Sequence, residues 1–249
     1  MRVITVWTIK GGVGKTAAAV NLAYLSATDG LRTLLWDLDP QGAASFYFRV
    51  RAKVKGGGGK LLRRSADLQP LVRGTDVENL DLLPADFSYR RLDLELDTRK
   101  DPEGRLALKL APLADEYDMV LLDCAPSVSL VTESVLRAAD VLVVPVIPTT
   151  LSLRGLEQVR AFAAKAGRQS LVVLPFLSMV DRRKTMHLEA VELCGADGQF
   201  LRTAIPMASV VERMGVRRAP VVAYAPSSEA ARAFCGLWAE LNARLAGRG

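Results

Sequence analysis

Runs of apolar residues alternate along the chain with stretches of helical spacing. The first run, Arg2 to Thr8, reads as a buried strand. A glycine-rich turn follows, then a helical pattern from Ala17 that ends near Asp29-Gly30. Leu31 to Trp36, Tyr117 to Leu122, Val141 to Val146 and Leu171 to Leu177 are further apolar runs of strand length, and Leu80 to Leu83 is a shorter one closed by Pro84. Between them, helical spacing appears at Tyr89–Leu96, Leu106–Leu113, Ser127–Ala138, Ser152–Ala166 and Arg183–Leu193. Phe200 to Ile205 is expected as a last strand, Val210–Met214 as a short helix, and Ser227–Leu245 as an amphipathic helix. Ser65 is placed to cap a short helix running through Val72. Strands alternating with helices predict an α/β fold: one domain over residues 1–249, with a doubly wound, mostly parallel sheet flanked by helices.

The turn after the first strand carries the first chemistry. Lys10-Gly11-Gly12-Val13-Gly14-Lys15-Thr16 stands between strand and helix, the context a phosphate-binding loop needs. Glycines let backbone N–H groups approach an anion, and the helix adds the positive end of its dipole. Lys15 is placed to reach β- and γ-phosphates and Thr16 to offer its hydroxyl to Mg²⁺. The ordinary pattern, G-x-x-x-x-G-K-[ST], fails here, because Ile9 stands where its first glycine belongs. A second lysine, Lys10, precedes the glycine pair and needs its own explanation.

Acids follow at other strand ends. The second strand delivers Asp37-Leu38-Asp39-Pro40-Gln41-Gly42 to the edge where open α/β sheets bind ligands. The Tyr117–Leu122 run ends in Asp123-Cys124-Ala125-Pro126-Ser127, an acid at a strand tip as in the Walker-B arrangement.

The chain of 249 residues has net charge +6 and a pI near 9.4, a basic bias that permits nucleic-acid or anionic-lipid contact. Residues 49–64 form its oddest segment: Arg49, Arg51, Lys53, Lys55, Lys60, Arg63 and Arg64, no acid, and Gly56 to Gly59 in the middle. It reads as a mobile loop, either contacting phosphate backbone or an acidic partner, or simply solvated. Cys124, Cys194 and Cys235 are far apart and form no C-x-x-C pair, so no zinc site or disulfide framework is indicated. The single histidine, His187, is expected at the surface. No apolar run reaches the ~18 residues of a membrane span, and the first residues read as a strand, not a signal peptide, so a cytoplasmic protein is expected.

With Pro148-Thr149-Thr150-Leu151-Ser152-Leu153-Arg154-Gly155-Leu156, these motifs resemble the deviant Walker-A ATPases of the ParA/MinD superfamily, the ParA branch more than MinD. The resemblance implies a P-loop NTPase that uses ATP and Mg²⁺ and forms a homodimer in the ATP state. It implies non-specific, nucleoid-associated DNA binding, and a cargo or adaptor protein that stimulates hydrolysis. It assigns nucleotide contacts to Lys10, Gly11, Gly12, Val13, Gly14, Lys15, Thr16, Ala17, Pro206 and Met207. Thr16, Asp37 and Asp123 would serve Mg²⁺, Asp39 the attacking water, and Lys10 the partner's nucleotide. Arginines that many relatives place after the Ile-Pro pair are replaced here by Met207 and Val210. Candidate DNA residues are therefore Arg182, Arg183, Lys184, Arg213, Arg217 and Arg218. The loop begins at Lys10, without the helix-turn-helix extension of longer relatives, so sequence-specific recognition would fall to a partner. A MinD-like membrane switch through Phe234, Leu237, Trp238, Leu241 and Leu245 is the alternative. A metabolic enzyme on the same scaffold, such as an iron–sulfur reductase or a ligase, is a third reading; the cysteine spacing does not fit the former.

Overall fold

A computed structural model describes residues 1–61 and 67–246. The chain forms β1 (Arg2–Val6), α1 (Lys15–Thr28), β2 (Thr33–Asp37), α2 (Ala43–Tyr47) and α3 (Gly57–Leu61). Then come β3 (Arg73–Gly74), β4 (Leu80–Leu83), α4 (Leu92–Asp97), α5 (Arg105–Leu110), β5 (Met119–Asp123), α6 (Leu130–Ala138) and β6 (Val141–Val146). The last third holds α7 (Thr150–Ala166), β7 (Val172–Leu177), α8 (Thr185–Ala196), α9 (Ser209–Glu212), α10 (Met214–Arg217), α11 (Val221–Tyr224) and α12 (Glu229–Ala246).

One seven-stranded sheet runs in the order β3-β4-β2-β5-β1-β6-β7, parallel except for the β3–β4 pair. The central strands are apolar without alternation because both faces are covered. Val3, Leu34, Trp36, Val120, Leu122 and Val144 face one core, shared with α4 to α7. Ile4, Val6, Leu35, Leu121, Val143 and Phe176 face the other, shared with α1 and α12. Helix α1 is buried almost all round, which suits its small residues. In α12, Phe234, Leu237, Trp238, Leu241 and Leu245 are all buried, and the Trp238 indole donates to Asp29 Oδ2 at 2.6 Å, at the end of α1.

The sheet's register builds the site. Parallel pairing sets Asp37 beside Asp123, and Asp123 beside Val6, so two acids and the start of the glycine loop share one level.

Four sequence expectations need correction. Phe200 to Ile205 is not a strand. Leu201 and Ile205 donate to Pro175 and Leu177 of β7, but Arg202 N donates to Glu240 of α12 and the Thr203 hydroxyl does likewise, so no ladder forms. Gly56 to Gly59 are not an open loop: Gly57 opens α3, and Gly58 N donates to Ser88 Oγ at 2.8 Å. A Cβ at Gly58 would meet Leu92 at 2.6 Å, so a bare backbone permits this close packing. His187 is buried, because its Nδ1 accepts the Asp181 N–H at 3.0 Å. The helix expected from Ser65 appears in its described part as a 3₁₀ turn, Gln69–Leu71. Ser65, Arg63 and Arg64 lie outside the described residues.

Candidate nucleotide site

The loop from β1 to α1 closes on itself. Lys15 Nζ donates to the Lys10 carbonyl at 3.0 Å, and Ser178 Oγ donates to the Val13 carbonyl at 2.8 Å. Gly12 and Gly14 take positive φ, 68° and 90°, a conformation that side chains rarely adopt. At Gly14 a Cβ would also press on Ser178 Oγ at 3.0 Å. Lys15 is buried, which lowers the pKa of its ammonium, while the charges of Asp123, Asp39 and Cys124 pull the other way.

Lys10 behaves differently. It is exposed, and its ammonium donates to Ser152 Oγ of α7 at 3.2 Å. There it borders a separate hollow of about 240 Å³ with Leu151, Gly155 and Gln158. Leu151 is 76% exposed.

Asp37 is fully buried. Its Oδ2 accepts from both the backbone N and the hydroxyl of Ser45 at 2.7 Å, while Oδ1 has no partner. Burial raises its carboxyl to about 6. Asp123 is also fully buried, and among the described residues none gives either of its oxygens a hydrogen bond of good geometry. Burial and then the charge of Asp37 hold it well above the carboxylate range, against the opposing pull of the Thr16 hydroxyl and Lys15. Unpartnered buried carboxylate oxygens are costly in isolation and fit the water shell of a divalent cation. Among the described residues, no group of three or more His, Cys, Asp or Glu could hold an ion directly. Asp39 is half-buried, and its Oδ1 accepts Gln41 N at 2.9 Å in a tight turn.

Beside the loop lies a cavity of about 250 Å³. Pro206 and Met207 line it together with Gly12, Gly14 and Ala17, so these sequence-predicted residues do converge. Tyr47, Ser178 and Val211 line it too and were missed from the sequence, as was Ser45 beneath Asp37. No local pattern marks them, because each arrives from a distant element.

The candidate DNA cations are engaged in different ways. Arg182 pairs with Glu229, and Arg183 is held bidentately by Asp181, whose carboxyl it keeps well below the usual range. Lys184, Arg213 and Arg217 are exposed. Arg218 stacks on the Phe46 ring at 4.6 Å and donates to the Phe46 carbonyl.

Strand, glycine loop, helix and paired acids on neighbouring strand tips define a P-loop protein that binds a nucleoside triphosphate. The AAA domain family matches residues 1–171. The sporulation initiation inhibitor protein Soj of Bacillus subtilis is 31% identical over 249 residues, 97% of this chain and 98% of Soj. Among solved structures, cobyrinic acid a,c-diamide synthase from Mycobacterium smegmatis, with bound ADP and magnesium, is 29% identical with a TM-score of 0.74, covering 87% of this chain and 91% of that one. A putative plasmid partition protein of Borrelia burgdorferi bound to AMPPNP has a TM-score of 0.83 at 20% identity, over 98% of this chain and 99% of that one, and shows the shared fold. The chain belongs to the AAA domain family, as a ParA/Soj-type P-loop ATPase.

Proposed function

We propose that residues 1–249 act as one ATPase domain that converts ATP and water to ADP and phosphate, and uses the cycle to position or segregate DNA or a large protein cargo. The carrying observation is the divided pair of lysines: Lys15 turns into its own loop and Lys10 turns out to α7. In this reading Gly11 to Ala17 cradle the phosphates, Lys15 contacts the β- and γ-phosphates, and Pro206 and Met207 border the rest of the nucleotide. Thr16, with Asp37 and Asp123 behind water, holds Mg²⁺, which supplies charge neutralisation across the phosphates. Asp39 orients the attacking water. Lys10 reaches the nucleotide of a second copy and answers the charge developing on its γ-phosphoryl group, so hydrolysis waits for the ATP-state homodimer. That dimer binds DNA without sequence preference on the nucleoid, through cations among Arg182, Arg183, Lys184, Arg213, Arg217 and Arg218. A cargo or adaptor protein stimulates hydrolysis and releases it.

One fact weighs against the membrane-switch alternative: the apolar face of α12 is buried against the protein. The test is duplex binding with ATP and Mg²⁺ across a salt series. We expect binding that needs ATP and weakens steeply with salt, as counterion release requires. Equal binding without nucleotide, or binding indifferent to salt, refutes this function.

A further inference from the structure

The nucleotide site leaves one charged feature unused. Arg51, Lys53 and Lys55, together with Arg73 and Val50, line a surface hollow of about 350 Å³. All four cations are exposed, and among the described residues no acidic side chain lines the hollow. Among the described residues, Arg51, Lys53 and Lys55 make no ion pair within 4.0 Å, and Arg73 spends one nitrogen on the carbonyls of Pro70 and Val72. The charge of Lys53 bears on Asp86, whose carboxylate already accepts from Val54 N, Ser88 N and Ser88 Oγ.

The backbone beneath these cations is fixed. Val54 is 3% exposed and sits in the core between Lys53 and Lys55. Its N–H donates to Asp86 at 2.8 Å, and its carbonyl accepts Gly57 N at 3.0 Å as α3 begins. Four like charges held together on an anchored backbone repel one another until an anion lies among them. Among the described residues, Val50 is the hollow's one apolar lining residue and is half-buried, so the lining offers little to the apolar anchor that a protein partner would bring. A row of phosphates needs no such anchor. The hollow also joins a second basic surface: Arg49, at the head of the same segment, donates to the Arg217 carbonyl at 3.4 Å while pairing with Asp76.

We propose that the Arg51–Lys53–Lys55–Arg73 hollow is a contact site for the DNA phosphate backbone, extending the footprint from Arg217 and Arg218 across the β3–β4 edge of the sheet. This rests on the reading of the chain as a non-specific DNA binder. The site reads no bases, lies apart from the glycine loop, and adds affinity through counterion release.

The experiment compares the full-length wild type with the Arg51→Gln/Lys53→Gln/Lys55→Gln variant, binding a random-sequence duplex with ATP and Mg²⁺ from about 50 to about 200 mM salt. Every phosphate that the variant leaves unneutralised makes the slope of log K against log salt shallower by about 0.9, so its slope falls by roughly 2 to 3 per protomer. ATP hydrolysis without DNA stays unchanged, and Lys53→Arg/Lys55→Arg keeps the wild-type slope. A wild type that binds DNA while the Gln variant keeps its slope overturns the hollow's role and leaves the parent function standing. A wild type that does not bind DNA overturns both. A variant with unaltered DNA slope that loses binding to poly-glutamate assigns the hollow to an acidic protein and overturns the DNA proposal.

Discussion

Leu237 offers a direct test of what α12 is for. It is completely buried, within the core that α12 shares with α1 and the sheet. Truncating it to alanine removes buried methyl groups and leaves a cavity that the flanking Phe234, Trp238 and Leu241 fill only in part. Such changes cost about 2–5 kcal/mol. In a chain of this size, 1 kcal/mol moves Tm by about 2–4 °C, so a loss of ~3 kcal/mol lowers Tm by about 6–12 °C. Leu193→Ala on α8 is the control: that side chain is 73% exposed, and its loss should stay within about 0.5 kcal/mol. Trp238→Phe falls between, since it keeps most of the packing but gives up the indole donor to the exposed Asp29, a loss of about 1 kcal/mol. Thermal unfolding by circular dichroism, without lipid, reads all three. Vesicle co-sedimentation with ATP is run on the same proteins. A membrane-seeking face would be free in lipid-free protein. If Leu237→Ala left Tm unmoved and abolished vesicle binding, the packing argument would be wrong and α12 would be a membrane element.

Three further outcomes test the site. Lys10→Ala should reduce ATP turnover by about 10³–10⁵ while leaving nucleotide binding measurable by equilibrium titration; surviving hydrolysis ends the two-subunit reading. Asp39→Ala should accumulate as an ATP-bound dimer on a sizing column, and a monomer under those conditions contradicts the role given to Asp39. Metal-free stability should depend on the buried acids. Asp37 is raised from 3.8 unfolded to about 6 folded, so the stability it contributes is full below about pH 4 and is lost as pH rises through about 6. Asp123 is shifted the same way. Urea midpoints in EDTA should fall across that window in the wild type and fall less in Asp37→Asn; equal slopes would show that burial is not what perturbs Asp37.

Much of this was legible because the chemistry is local. Strand, loop and helix around Lys15 are contiguous, and Asp37 and Asp123 each end an apolar run that could only be a buried strand. What brings those acids together is less visible. They pair in register across strands more than eighty residues apart, and no periodicity encodes that neighbour relation. The same holds for Ser45, which looks like any loop serine until α2 sets it on Asp37. Strand β3 is two residues long, too short for a pattern. Composition misled where tertiary packing overrides it. Gly56 to Gly59 read as flexible because glycine usually is, yet Gly58 lies against Leu92, where a side chain would collide. His187 read as solvated because no partner was visible in the sequence, and its partner is a backbone N–H.

The two lysines of the loop show how one short motif serves two directions. Drawing both ammonium groups to within about 4 Å of each other at one phosphate would cost about 4 kcal/mol of repulsion at an effective dielectric near 20, before any anion screened it. The loop avoids this by using Lys10 twice. Its carbonyl accepts the Lys15 ammonium and fixes that side chain inside. Its own ammonium leaves the loop for Ser152, whose hydroxyl accepts a further hydrogen bond from Thr149. Residue 10 therefore helps build its own site with the backbone and offers its charge elsewhere with the side chain. On the α7 side, the exposed Leu151 borders the same hollow as Lys10. In the proposed reading, a nucleotide that Lys10 neutralises from there is presented by another molecule, and the Lys10→Ala experiment separates a two-subunit site from a self-sufficient one.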